Sequence, residues 1–143
     1  MPGRFNDILF RGLTGVTREG LMDLINSGKA PPELQKAFLG MGTGFENMDK
    51  KEHALSSYLI AKRFGSPIST AAGYAQELST GLAEKRAGKP FVSPTGFDPA
   101  DLAANEVGLR QAEEEFRKRK DRAGTLSLLF MNRLLPRLLM GKK

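Results

Sequence analysis

The sequence predicts an all-α fold, a small bundle of about five to six helices joined by short loops. Two observations lead to it. Helix start and stop signals recur along the whole chain, among them Ser66-Pro67 and Asp98-Pro99 as cap followed by proline, and Gly28, Gly40, Gly65 and Gly88 as stops. No stretch alternates convincingly as a strand, and Val92 is the nearest approach to strand character. No internal repeat is visible.

The elements follow in order. Thr17 caps "REGLMDLINS", which Gly28 closes. Pro31 and Pro32 start a short helix through "ELQKAFL", closed by Gly40. "GMGTGFEN" is glycine-rich and reads as a loop, and it has neither a Walker lysine nor a preceding strand. Asn47 or Asp49 caps the helix through "HALSSYLIAKRF", with Leu55, Tyr58, Leu59 and Lys62 on one line and Gly65 at its end. Ser66 and Pro67 open the next helix, which runs to Gly88 and carries Ala71, Ala72, Gly73 and Ala75 for close helix approach. "GKPFVSPTGF" is expected to be an extended connection. Asp98 and Pro99 start a helix that runs to about Lys120 or Arg122. Gly124 then breaks it, and Thr125 caps a last helix.

This organisation divides the chain into an apolar, basic docking segment (1–16), a helical domain (17–124) and an apolar, basic C-terminal helix (125–143). The N-terminal segment presents Phe5, Ile8, Leu9 and Phe10 for docking. The C-terminal helix presents Leu128, Phe130, Met131, Leu134, Leu135, Leu138 and Leu139, with Pro136 expected to kink it or end a segment of it. It is too short to span a bilayer and too apolar to be left in water, so it packs on its own bundle, on another subunit or in a membrane interface. The charge run "EEEFRKRKDR" offers three i,i+4 pairs, Glu113–Arg117, Glu114–Lys118 and Glu115–Arg119. It reads as a solvated helix face.

Composition removes several classes of chemistry. There is no cysteine, so disulfides, thiolate metal sites and cysteine nucleophiles are excluded. With His53 as the single histidine, a zinc site within one chain would need carboxylates for most of its ligands, and no cofactor or metal is expected. The N-terminus lacks the apolar run of a secretory signal, and no transmembrane helix is expected. A net charge of +6 favours acidic partners: nucleic acid, an anionic membrane surface or an acidic protein.

One constellation stands out. Asp101, Asn105, Gly108 and Ala112 fall on one face of the Pro99 helix. Glycine in mid-helix costs about 1 kcal/mol relative to alanine, so Gly108 implies close packing by a neighbouring helix. His53 and Glu77 lie on the two preceding helices and complete a candidate cluster: His53, Glu77, Asp101, Asn105. Such a set suits acid–base work, or a hard cation held through oxygens. It equally suits a buried polar tie between helices, with Asp101 favoured by the helix dipole.

The order "HALSSYLIAKRFG", "AAGYAQELSTG", "DPADLAANEVGL" resembles small helical domains of bacteriophage and bacterial proteins, mostly of unknown function, over about 53–109. Their pattern, His, then Glu, then Asp-x-x-x-Asn-x-x-Gly, maps onto His53, Glu77, Asp101, Asn105 and Gly108. Ala104 stands where those domains often have a second Asn. The resemblance implies a phage context rather than an activity.

The expected function is therefore that of a structural or interaction protein. It would be a small virion component (internal, neck or ejection-associated), made in the host cytoplasm and docking onto other virion proteins in an oligomeric assembly. Contact with DNA or a membrane surface is a further expectation. The alternatives are a cell-wall or other polymer hydrolase using His53, Glu77, Asp101 and Asn105, and a nucleic-acid-binding accessory protein, whose binding would weaken steeply with salt.

Overall fold

The structure is a computed structural model that describes residues 2–41 and 45–141; the side chains of residues 2–6, 45 and 46 lie outside that description. Residues 42–44 of the expected loop "GMGTGFEN", the docking role of the Phe5 side chain, and Lys142 and Lys143 fall outside the described residues, while the rest of that stretch is helical.

The described residues form an all-α fold: α1 (Pro2–Thr14), α2 (Arg18–Asn26), α3 (Pro32–Met41), α4 (Phe45–Phe64), α5 (Ser66–Arg86), α6 (Pro99–Leu129), a π-helical turn (Phe130–Leu134) and α7 (Leu135–Met140). The last three follow one another without a gap, so among the described residues the chain makes six helical rods and no strand. Val92 and Phe97 meet only in an isolated bridge. The chain divides into two compact units, Met1–Ala112 and Glu113–Lys143.

In the first unit α4 is the axis, with α5, α1, α2 and α3 packed on it. Leu21, Leu34, Phe38, Ala54, Leu55, Tyr58, Ala61 and Ala112 form the buried core. Phe10 is half-buried against that core, and Arg18 of α2 lies over its ring at 4.9 Å. Ile8 and Leu9 are exposed. Gly108 brings α6 onto the backbone of α4, because a Cβ there would collide with the Ala54 carbonyl oxygen.

Several local signals held. Thr17 accepts a hydrogen bond from Gly20 N (3.0 Å), and Asp98 caps α6 through Ala100 N (2.9 Å). Gly28, Gly65 and Gly88 adopt the positive φ that suits a helix stop.

Others are corrected. Gly40 lies within α3, which runs on to Met41. Helix α4 begins at Phe45, so Asn47 and Asp49 lie within its first two turns rather than capping it. Gly65, at φ +94°, occupies the cap position before α5 and Ser66 is already helical. Residues 90–97 turn back instead of extending: Phe97 N donates to Phe91 O (2.8 Å), and the two rings stack at 5.4 Å. Gly81 makes room for that turn, since a Cβ there would lie 2.5 Å from the Phe91 ring. Helix α6 continues through Gly124 and Thr125 to Leu129. A single glycine penalty of about 1 kcal/mol is too small to stop a helix that has no proline at that point.

The second unit is helical to Met140 and largely exposed. Glu114 and Lys118 form their i,i+4 pair at 3.0 Å. The widened π turn directly precedes Leu135 and Pro136. Proline lacks an N–H and its ring crowds the carbonyl four residues earlier, so a looser turn relieves the clash. No described helix is long and apolar enough to cross a membrane.

Candidate functional site

Three helices bring the four sequence-predicted residues together. His53 comes from the third turn of α4, Glu77 from the middle of α5, and Asp101 and Asn105 from the first two turns of α6. Gly73 and Gly108 allow the approach. A Cβ at Gly73 would lie 2.7 Å from Asn105 Nδ2, and Gly108 rests on Ala54 and on Tyr58 N.

His53 is the hub. Its Nδ1 stands 3.1 Å from Asn105 Oδ1 and its Nε2 stands 3.3 Å from Asp101 Oδ2. Glu77 Oε1 and Asp49 Oδ1 lie further from Nε2, at 4.0 and 3.9 Å. Both ring nitrogens face oxygen acceptors, so the ring alone is best satisfied as an imidazolium. Burial opposes that charge. The Asp101 hydrogen bond, the charges of Asp101 and Asp49 and the Asn105 contact outweigh it, and the His53 pKa is raised.

Asp101 is buried, and burial alone would raise its pKa. Hydrogen bonds from His53 and Lys50 prevail and lower it. Lys50 binds both Asp101 and Asp98, the latter at 2.8 Å. Its own pKa moves up because these two carboxylates outweigh its desolvation. Glu77 is sealed at 2% exposure and accepts the Asp98 backbone N–H through Oε2 (2.8 Å). Burial raises its pKa, the Asp98 bond works against that, and the charge of Asp101 adds to it. Asn105 is buried too, and its Nδ2 makes no hydrogen bond.

A cavity of about 200 Å³ adjoins this cluster. Its polar lining includes Arg18, Asp49, Glu52, His53, Ser56, Gln76 and Asn105, and its apolar lining Leu9, Phe10, Leu13, Leu21 and Ile60. Glu52 has a raised pKa, through burial first and the charge of Asp49 second.

Sequence reasoning found His53, Glu77, Asp101 and Asn105 and missed Asp49, Lys50, Glu52 and Asp98. Asp49 and Asp98 were read as caps. The signal that would have found Asp49 is its i,i+4 relation to His53. Of the docking residues, Ile8, Leu9, Leu128, Phe130, Met131, Leu134, Leu138 and Leu139 are exposed, whereas Phe10 and Leu135 are half-buried.

Comparison with family models, with curated proteins and with solved structures gave no match.

Proposed function

We propose that this chain is a structural or interaction protein, a helical body that joins a larger assembly through an apolar, basic arm. The observation that carries this reading is the surface of the second unit. Leu126, Leu128, Leu129, Phe130, Met131, Leu134, Leu138, Leu139 and Met140 are all exposed within fifteen residues. Monomeric proteins rarely leave a contiguous apolar surface of that extent in water. After Asp121 the sequence contains no acidic residue, while Arg122, Arg133, Arg137, Lys142 and Lys143 are basic. An arm of that kind suits an apolar groove with an acidic rim on a neighbouring subunit. The setting we propose is a bacteriophage particle, on the resemblance of residues 53–109 to phage-borne helical domains. The positive charge also suits contact with DNA or an anionic lipid surface during delivery.

The experiment is incorporation. A tagged copy is expressed during growth of the phage that encodes the chain, and particles are purified on a density gradient. The wild-type chain is expected in the particle band, and a Leu134→Asp, Leu138→Asp double variant is expected to be absent from it. Equal incorporation of both, or absence of both, sinks the reading.

A further inference from the structure

We propose that the helical body binds one divalent transition-metal ion, of the Mn²⁺ or Zn²⁺ kind, where Asp49, His53 and Asp101 converge, with Glu77 beside them. This goes beyond the assembly role, which rests on the arm.

Spacing is the first observation. Three carboxylate oxygens surround His53 Nε2: Asp101 Oδ2 at 3.3 Å, Asp49 Oδ1 at 3.9 Å and Glu77 Oε1 at 4.0 Å. The two longer separations exceed hydrogen-bond range, so a proton on Nε2 serves Asp101 alone. They fit a shared ion instead. Two ligand atoms each about 2.1 Å from one metal stand about 3.0 Å apart at a right angle and about 4.2 Å apart when opposed. Ligand atoms of Asp49, His53 and Asp101 all lie within 4.8 Å of one another. Asp49 is 45% exposed and has room to close the remainder. Asp101 offers Oδ2, because its Oδ1 is taken by Lys50.

Asn105 supplies an independent observation. Its side chain is buried, its Oδ1 faces His53 Nδ1, and its Nδ2 has no partner. An unpaired buried donor costs roughly 1–3 kcal/mol. The amide is thus held in the orientation that serves the ring at its own expense. That orientation keeps the proton on Nδ1 and presents Nε2 to the carboxylates. Metal-bound histidines show the same arrangement, with the second nitrogen donating to a polar group.

Charge points the same way. Asp49, Glu77, Asp98 and Asp101 face Lys50 and His53, so acidic groups outnumber basic ones around the ring. A divalent ion would take the Nε2 lone pair, release its proton to solvent and cancel most of that excess. Asp49, His53 and Asn105 also line the cavity, so water or a small ligand has access to the remaining coordination positions.

The test uses the full-length chain, stripped with EDTA and titrated calorimetrically with MnCl₂ and ZnCl₂, with the Mn²⁺ EPR signal as a second readout. One ion per chain is expected, with a rise in thermal midpoint. Asp49→Asn and Glu77→Gln are expected to weaken binding by at least about tenfold. Asp49 is half-exposed, so its variant is expected to keep the wild-type circular dichroism and remain informative if Glu77→Gln does not fold. The proposal is overturned by binding no tighter than about 1 mM. It is equally overturned by binding that a folded Asp49→Asn leaves unchanged, which would put the ion on other surface carboxylates.

Discussion

Gly108 of α6 rests on Ala54 of α4 so closely that a single added carbon would meet the Ala54 carbonyl oxygen, with Tyr58 N only 2.9 Å away. Backbone atoms of a helix cannot swing aside as a side chain can. One missing methyl group therefore sets the depth at which α6 enters the body, and with it the position of Asp101 and Asn105 beside His53.

Gly108→Ala tests that dependence. Overpacking of this kind costs typically about 1–3 kcal/mol. The variant is expected to unfold at a lower temperature and at lower denaturant concentration than wild type, in spite of alanine's better helix propensity. Gly124→Ala is the control. It lies in the same helix, meets no atom within 4 Å and has no positive φ. It is expected to raise helix content, since alanine gains about 1 kcal/mol over glycine there. Opposite signs for two identical changes in one helix, read by circular dichroism during thermal melts, are the expected outcome. A stabilised Gly108→Ala would show that the α4–α6 contact is looser than described.

Lys50 holds Asp98 and Asp101 together at the start of α6. Lys50→Met keeps much of the apolar stem and removes the charge. Two carboxylates, one of them buried, are then left to repel each other. Removing one partner of a buried ion pair typically costs about 3–5 kcal/mol. Because Lys50 keeps 22% of its side chain exposed, the lower half of that range is expected in chemical denaturation at neutral pH. A variant as stable as wild type would place the tie elsewhere, on the Glu77 to Asp98 N–H bond.

Leu55 is sealed in the core of the first unit at 1% exposure. Leu55→Ala is expected to lower unfolding free energy by about 2–5 kcal/mol through lost burial and the cavity left behind. Leu128→Ala, at 62% exposure in the second unit, is expected to leave the same transition unchanged. Urea denaturation of the two variants side by side separates residues that hold the body from residues available to a partner.

The helices were legible where their signals are local. Thr17 and Asp98 cap as their sequence context suggests, and Gly28, Gly65 and Gly88 stop helices through a backbone conformation that glycine adopts freely. The cluster was legible as far as one helix face could carry it, since Asp101, Asn105 and Gly108 are neighbours by periodicity alone. Asp49 escaped because a start at Phe45 instead of Asn47 or Asp49 turns a cap into a helical residue one turn before His53 on the same face. The turn at 90–97 escaped for a different reason. It depends on Phe91 stacking on Phe97 and on the space that Gly81 leaves on another helix, and neither is a local property of the segment.

The π turn at Phe130–Leu134 has one evident cause, Pro136. A proline within a helix takes away one N–H and crowds the carbonyl of the residue four before it, here Asn132. Widening the turn moves that carbonyl out of the way at the expense of regular hydrogen bonding. Pro136→Ala restores the N–H and removes the ring. The segment is then expected to revert to an uninterrupted α-helix from α6 into α7. Interruption by proline costs about 3 kcal/mol, so the gain should appear as higher helicity and a later melting of the second unit. Backbone ¹³C chemical shifts across Phe130–Leu134 are the direct measurement. Unchanged shifts in Pro136→Ala would remove the proline as the cause of the widened turn.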